Sequence, residues 1–227
     1  MRFAIIGDVH SNIGALTSVL ADIRRRAVDR IICLGDLVGY HSFPHETLAT
    51  IRRLGIPSVQ GNHDLMAVGR LDPADCGPNA RAAILWTRDV LSNDEKAYLC
   101  GLPPYLVPDA GAICVHSRLG DPVGRMARPD HYLAQREVLM KFNPELRLCF
   151  TGHTHDQHVI EIDASGGVAD HTTTRLLLAS SSFYFINPGS VGHPRESDYR
   201  ARYALHDTER RTVTLRRVAY NRDPVAA

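Results

Sequence analysis

No apolar run in the sequence approaches the ~18–20 residues that a helix needs to cross a bilayer. The chain opens at once on a strand-like stretch, without the basic and apolar regions of a secretory leader. A cytoplasmic protein without a membrane partner is the expectation. Disulfide-forming cysteine is lacking as well: there are five cysteines in 227 residues, odd in number and without paired spacing. Cys33, Cys114 and Cys149 fall in apolar strand-like runs and suit small buried hydrophobes, Cys100 ends a helical segment, and Cys76 lies in a loop. A surplus of either charge is missing too. The 26 basic and 25 acidic residues leave a formal net charge of +1, which gives no long-range pull toward nucleic acid or anionic lipid. No internal repeat or low-complexity segment interrupts the chain.

What is present fits one globular domain of ordinary composition, 44% hydrophobic and 22% charged. Histidine stands out, with twelve residues, many beside glycine or aspartate in turn-like stretches. RFAII reads as a buried strand, followed by a helix through GALTSVLADIRRR with Ser11 or Asn12 at its cap. RIICL is a second strand, ETLATIRRLG a second helix stopping near Gly55, and PSVQ a short third strand. This alternation predicts a mostly parallel sheet. Residues 65–104 break the rhythm with two helices, ARAAILWTRDVL and SNDEKAYLCGL, read as a helical insert with Trp86 in the core. Ser92 followed by Glu95 is a capping box for the second. PYLV, GAICV and RLCFTG restore strands, and a helix around HYLAQREVLMKF separates the last two. HVIEID, TRLLLA, FYFIN, RYALHD and TVTLRRV then predict a second, largely antiparallel sheet. The tail NRDPVAA is expected to fray.

Five of the apolar runs deliver polar residues at their C-terminal ends. RFAII leads to Asp8 and His10, RIICL to Asp36, PSVQ to Asn62, His63 and Asp64, GAICV to His116, and RLCFTG to His153 and His155. On extended chain, residues i and i+2 share a face, so Asp8 and His10 are expected to point together with Val9 turned away. Singly, each has a structural explanation: Asp8 as a helix cap, His116 as a core histidine. Together they place carboxylates and imidazoles at one sheet edge, where ligands of open α/β sheets bind. Such groups repel or desolvate one another unless a cation neutralises them. Asp8, His10, Asp36, Asn62, His116, His153 and His155 include no cysteine, which favours Mn, Fe, Zn or Co over a soft thiolate centre. Seven donors exceed one tetrahedral zinc site and suit two ions sharing a carboxylate.

The ordered motifs Asp8-Val9-His10, Gly35-Asp36, Gly61-Asn62-His63-Asp64, His116 and Gly152-His153-Thr154-His155 resemble the calcineurin-like metallophosphoesterase superfamily. Asn187-Pro188-Gly189-Ser190-Val191-Gly192 resembles a turn of its small bacterial and archaeal phosphodiesterase branch. The resemblance implies an α/β fold, a two-layer mixed β-sandwich flanked by helices in four αββα layers, as a single domain. It implies one metal on Asp8, His10 and His155, another on Asn62, His116 and His153, and Asp36 bridging. It implies in-line attack on phosphorus by a hydroxide between the metals, with His63 as the catalytic histidine. Asp64 is expected to hold its loop through backbone hydrogen bonds rather than to take part in the chemistry.

Departures from the family pattern narrow the substrate. Its protein phosphatases and dinucleoside-tetraphosphatases carry one arginine shortly after the bridging aspartate and another before the Gly-Asn-His motif. Here those stretches hold Gly39-Tyr40 and Gln60, and Gly39 replaces the acidic partner of the catalytic histidine. A diester needs less neutralisation than a monoester dianion, so a phosphodiesterase acting on a small or nucleotide-like ester is expected. Arg118, Arg125 and Arg195 are the candidates to replace the missing arginines; the stretch from Tyr40 to His45 after the bridging aspartate is a candidate lining of the substrate pocket, with His41 and His45 read as surface loop residues. A phosphomonoesterase or dinucleoside-polyphosphate hydrolase is the nearby alternative. A non-catalytic interaction scaffold is the alternative of another class, opposed by the filled metal positions. A DNA nuclease is opposed by the near-neutral charge.

Overall fold

The computed structural model describes residues 1–109, 111–195 and 197–222. The final five residues of the tail expected to fray lie outside them. Both faces of β1 (Arg2–Ile6) are apolar because the strand feeds two cores. Phe3 and Ile5 face a second sheet, while Ala4 and Ile6 face helices. β1 pairs in parallel with β2 (Arg30–Cys33) and antiparallel with β10 (Ala201–Asp207). β11 (Thr212–Val218) and β8 (Arg175–Leu177) complete a sheet in the order β2-β1-β10-β11-β8. The second sheet runs β3-β4-β5-β9-β6-β7. Its members are β3 (Tyr105–Asp109), β4 (Ala112–Val115), β5 (Leu148–Phe150), β6 (Gln157–Ile162), β7 (Val168–His171) and β9 (Phe183–Pro188).

Three apolar clusters follow from this layering. Phe3, Ile5, Ala204, Cys114, Phe150 and Ile186 fill the space between the sheets. Residues of α1 (Ile13–Arg24) and α2 (Pro44–Arg53) cover the outer face of the first sheet. Tyr132 and Leu139 of α6 (Pro129–Phe142) cover Ile113, Cys149 and Phe185 on the outer face of the second. The arrangement is the expected four-layer sandwich. Its strands are not divided by position in the chain, however. The late strands β8, β10 and β11 join β1 and β2, while β6, β7 and β9 extend the sheet of β3 to β5. The free flank of β1 accepts β10, and this joins both ends of the chain in one sheet.

Two further expectations are corrected. PSVQ forms a single bridge, Cys33 to Ser58, rather than a strand. Pro57 has no N–H to give, so only its carbonyl and the Val59 amide pair with Cys33. Trp86 is 43% exposed. The buried face of α4 (Pro78–Val90) is Ala80, Ile84 and Thr87, at helical spacing, and Trp86 lies off that stripe. α5 (Asn93–Cys100) does carry the expected Ser92–Glu95 capping box, and Asn12 caps α1 by accepting from the Ala15 amide. The cysteines are free. No helix among the described residues is long and apolar enough to cross a membrane.

One buried polar cluster ties α1 to the first sheet. Asp22 accepts from the Tyr203 hydroxyl at 2.7 Å and from Arg26 at 3.0 and 3.3 Å. Burial opposes its charge, but hydrogen bonds from Arg26, Tyr203 and Arg25 outweigh it and hold the carboxyl well below the usual range. The stabilisation is therefore present above the unfolded-state pKa of about 3.9 and is lost as pH falls toward the lower folded value. Asp22→Ala leaves the Tyr203 hydroxyl unpaired. In denaturant titrations it should cost about 1–3 kcal/mol at pH 7, and the cost should shrink below pH ~4.

Candidate metal centre

The strand ends converge because the loops beyond them continue the pairing of the sheets. Asp8 N donates to Gly35 O at 3.0 Å, His10 N to Asp36 O at 2.9 Å, and Ser11 N to Leu37 O at 2.9 Å. Extended alternation is not what aims Asp8 and His10. Both are left-handed, with φ +51°, as are Asp36 (+50°), His153 (+67°) and His155 (+67°). Each such non-glycine residue costs about 1–3 kcal/mol and persists only where its surroundings enforce it. Val9 does turn away, fully buried in the helix-side core.

Three histidines have their tautomers set by backbone carbonyls. Val38 O lies 3.2 Å from His10 Nδ1, Leu34 O 2.8 Å from His116 Nδ1, and His193 O 2.5 Å from His155 Nδ1. A carbonyl only accepts, so each Nδ1 carries the proton and each Nε2 presents a bare lone pair. These lone pairs face other acceptors. His10 Nε2 is 3.1 Å from His155 Nε2 and 3.6 Å from Asp36 Oδ2. His155 Nε2 is 3.5 Å from Asp8 Oδ1. His116 Nε2 is 3.5 Å from Asp36 Oδ2 and 2.9 Å from Asn62 Oδ1, which also lies 2.9 Å from His153 Nδ1. Ligand bonds of ~2.0–2.2 Å place neighbouring donors about 3.0–3.5 Å apart, the spacing seen. The residues fit bound cations. Asp8, His10, Asp36 and His155 form one compact cluster, and Asp36 lies between it and the His116–Asn62–His153 group.

Electrostatics point the same way. Burial pushes the Asp8 carboxyl up to about 8, and burial with the charges of Asp64 and Asp8 raises Asp36 well above its usual range. Burial, with neighbouring imidazoles, drives His10 and His116 well below the ordinary histidine value; His155 is driven down by burial and the Arg195 charge. The pocket disfavours both bare carboxylates and imidazolium ions. A bound cation would restore the ionised carboxylates.

Outlying residues hold the loops in place. Asp64 accepts from Leu37 N at 2.9 Å, Val38 N at 3.3 Å and Gly61 N at 3.0 Å, pinning the Asp36 loop to the start of α3 (Asn62–Ala67). From β9, Asn187 Nδ2 donates to Gly152 O at 2.9 Å and Thr154 Oγ1 at 3.0 Å. Ser190 Oγ and Gly192 N donate to Asp8 O at 2.8 and 3.0 Å. A Cβ on Gly192 would stand 1.8 Å from Val9 O, so no other residue allows this approach. Gly39, at φ +99°, leaves His63 Nδ1 buried and without a partner.

Other candidates fall around this core. The Arg118 guanidinium donates to the Arg125 carbonyl within its own loop. Arg195 acts electrostatically on Asp8, Asp36, His63, His153 and His155, and Arg125 on His153. His41 faces the Gly192 carbonyl at 3.0 Å, and His45 meets Glu95 at 2.8 Å. The Tyr40 ring packs against His10 and His63, at the edge of the donor cluster, whereas sequence reasoning missed His193. His193 directly follows the Asn187–Gly192 stretch, which was the available signal.

A mixed two-sheet sandwich, with helices on its outer faces and this donor set at its strand ends, is the architecture of a metallophosphoesterase. The chain belongs to the calcineurin-like phosphoesterase superfamily, whose domain matches residues 1–211. An uncharacterized protein of Methanocaldococcus jannaschii is 35% identical over 224 residues, spanning 96% of this chain and 87% of that protein. The crystal structure of a metallophosphoesterase from Sphaerobacter thermophilus is 36% identical with a TM-score of 0.80, covering 97% of this chain and 90% of that one. A hypothetical protein from Pyrococcus horikoshii, 19% identical, shares the fold at a TM-score of 0.79, covering 99% and 90%.

The raised carboxyls give a pH signature. Above pH ~7.5, a unit beyond the ordinary histidine value, the histidines are largely neutral whether folded or not, so the carboxyls dominate. A carboxyl raised in the folded state retains protons that the unfolded chain has released, so stability falls as pH rises through the raised value. After chelation the protein should lose thermal stability as pH rises from ~7.5, about one unit above the ordinary histidine value, through the raised Asp8 value of about 8. Saturating Mn²⁺ should remove that loss in a paired melting series, and a rise over this range without metal would contradict the assignment.

Proposed function

We propose that the chain is a dinuclear metal-dependent phosphodiesterase acting on a small or nucleotide-like ester. The observation that carries this reading is the gathering of bare imidazole lone pairs, two carboxylates and one amide oxygen into two adjoining clusters with Asp36 between them. One ion would take Asp8, His10 and His155, the other Asn62, His116 and His153, with Asp36 shared. When bound, the ions would supply a nucleophilic hydroxide at neutral pH and neutralise charge on phosphoryl oxygens.

The chain's own groups then do the rest. Backbone carbonyls of Val38, Leu34 and His193 keep His10, His116 and His155 in the tautomer that presents Nε2. His63 follows Asn62 and packs against His10 with ring centroids 4.7 Å apart. Burial pushes its imidazole down to about 3, aided by His153 and Arg195. It is therefore a neutral donor in the free protein, suited to hydrogen-bond a phosphoryl or leaving oxygen. Diester preference is supported by the modest positive charge around the site. Arg118 is engaged by a carbonyl, leaving Arg195 and Arg125 as the arginines that act on the donor cluster.

Reconstitution with Mn²⁺, Fe²⁺, Zn²⁺ or Co²⁺, each followed by bis(p-nitrophenyl) phosphate, p-nitrophenyl phosphate and a dinucleoside polyphosphate, tests the reading. The diester should show the highest kcat/KM, and His63→Asn should lower kcat by roughly 10²–10⁴-fold. Asp36→Asn should abolish turnover and reduce metal content. Faster monoester turnover would overturn the diester assignment. A folded, metal-loaded protein inert toward all three would favour the scaffold.

A further inference from the structure

His63, the proposed donor to a phosphoryl or leaving oxygen, has no polar group to aim it. In a histidine–carboxylate pair an acid holds the second ring nitrogen. Here His63 Nδ1 is buried and unpartnered, and a Cβ at Gly39 would already lie 2.5 Å from it. Rings surround the imidazole instead. His10 meets it edge-on, with centroids 4.7 Å apart at 74°, and Tyr40 lies against it at 4.8 Å and 36°. Tyr40 in turn stacks on His193 at 4.2 Å and 3° and meets His10 edge-on at 4.7 Å. The loop that carries this ring is pinned twice. The His41 amide donates to His10 O at 3.2 Å, and His41 Nε2 lies 3.0 Å from Gly192 O. A carbonyl only accepts, so that nitrogen carries a proton and donates. His41 follows Tyr40 and Gly192 precedes His193, so one hydrogen bond joins the two residues next to the stack. Tyr40 itself is left-handed, at φ +48°, a conformation that persists only where neighbours enforce it.

We propose that Tyr40 is the positioning residue for His63: its ring, braced by His193, fixes the imidazole by packing rather than by charge. The inference rests on the phosphodiesterase reading for what His63 acts on, and on ring geometry alone for how His63 is held. An unrestrained imidazole rotates about two side-chain bonds, and a small misplacement of a catalytic group costs rate steeply. Contacts between tilted and stacked rings are directional, so an aliphatic side chain at position 40 fills space without setting the angle. Tyr40 is only partly exposed, with three imidazoles against it. Bracing, rather than stacking on a substrate base, is the role its surroundings leave it. The brace also joins the sheets. Tyr40 follows β2 and His193 follows β9, so the angle of His63 is set by the two loops that carry Asp36 and orient His155.

The test uses the full-length, Zn²⁺-loaded protein and its Tyr40→Leu, Tyr40→Phe, His63→Asn and Tyr40→Leu/His63→Asn variants. Metal content and melting temperature verify that each is folded and loaded. The first readout is kinetic, on bis(p-nitrophenyl) phosphate. Tyr40→Leu should lower kcat by about 10–100-fold, part of what an acid–base group supplies, with KM within about twofold, since only a transition-state contact is lost. Tyr40→Phe keeps the ring and should recover most of that loss. Added to His63→Asn, Tyr40→Leu should cost nothing further, the signature of one residue acting through the other. The second readout needs no turnover: the His63 imidazole proton resonances, assigned by their disappearance in His63→Asn. They should shift and broaden in Tyr40→Leu and stay close to wild type in Tyr40→Phe. Unmoved His63 resonances in Tyr40→Leu, equal losses in Tyr40→Leu and Tyr40→Phe, or additive losses in the double variant would each overturn the brace. A loaded wild type inert toward the diester, with the His63 resonances moving as expected, would support the brace and overturn the phosphodiesterase reading.

Discussion

Bare acceptors forced against one another are the constraint on which the rest of the molecule depends. His10 Nε2 and His155 Nε2 are 3.1 Å apart, and both ring Nδ1 protons are already committed to carbonyls. No proton is left to place between them. The ring nitrogens cannot hold the cluster together; backbone N–H groups of His153 and His63 donate to the Asp8 and Asp36 carboxylates, and the rest falls to elements outside it. Five candidate ligands in left-handed backbone show how much of this is borne by the loops. Such conformations persist only when neighbouring hydrogen bonds over-determine them. The ladder from Asp8 N to Gly35 O and from His10 N to Asp36 O does so on one side, and the Ser190 and Gly192 bonds to Asp8 O do so on the other.

The donors are divided between the two sheets. Asp8, His10 and Asp36 follow β1 and β2, whereas His116, His153 and His155 follow β4 and β5. Packing of Phe3 and Ile5 against Cys114, Phe150 and Ile186 therefore sets the distance between the halves of the site. Close packing makes that distance stiff, because interiors at crystal-like density do not slide. The β9 turn adds a direct link: Asn187 holds the Gly152–Thr154 segment, and Ser190, three residues on, holds Asp8. A single stretch of chain thus fastens a loop of each sheet. Gly192 permits it, since any side chain there would meet Val9 O.

Much of this was legible in sequence, and for identifiable reasons. Apolar runs ending in Asp or His show strand ends directly, and their common edge implies convergence whatever the local dihedrals. The dihedrals themselves were misread: Asp8 and His10 meet through left-handed turns, because residue pairs at i and i+2 coincide in more than one conformation. Sheet membership was also hidden. β8, β10 and β11 look alike to β6 and β9 in sequence, and only the open flank of β1 decides which join it. Trp86 was misplaced because a large apolar residue says less than helical phase, which follows Ala80, Ile84 and Thr87. Tyr40 and His193 converge from separate loops, and no periodicity in the chain reports such proximity.

The replacement of an acidic residue by Gly39 reaches further than a lost carboxylate. A Cβ at position 39 would lie 2.5 Å from His63 Nδ1, so the histidine occupies the space that an acidic side chain would need. Left without an anionic partner, His63 Nδ1 is buried and unpaired, and burial lowers its proton affinity. Its orientation then depends on ring contacts with Tyr40 and His10 rather than on a charge. A histidine held this way keeps its geometry without being kept protonated. Gly39 thus leaves the room that His63 fills, and Tyr40, one residue later, supplies a ring that packs against it.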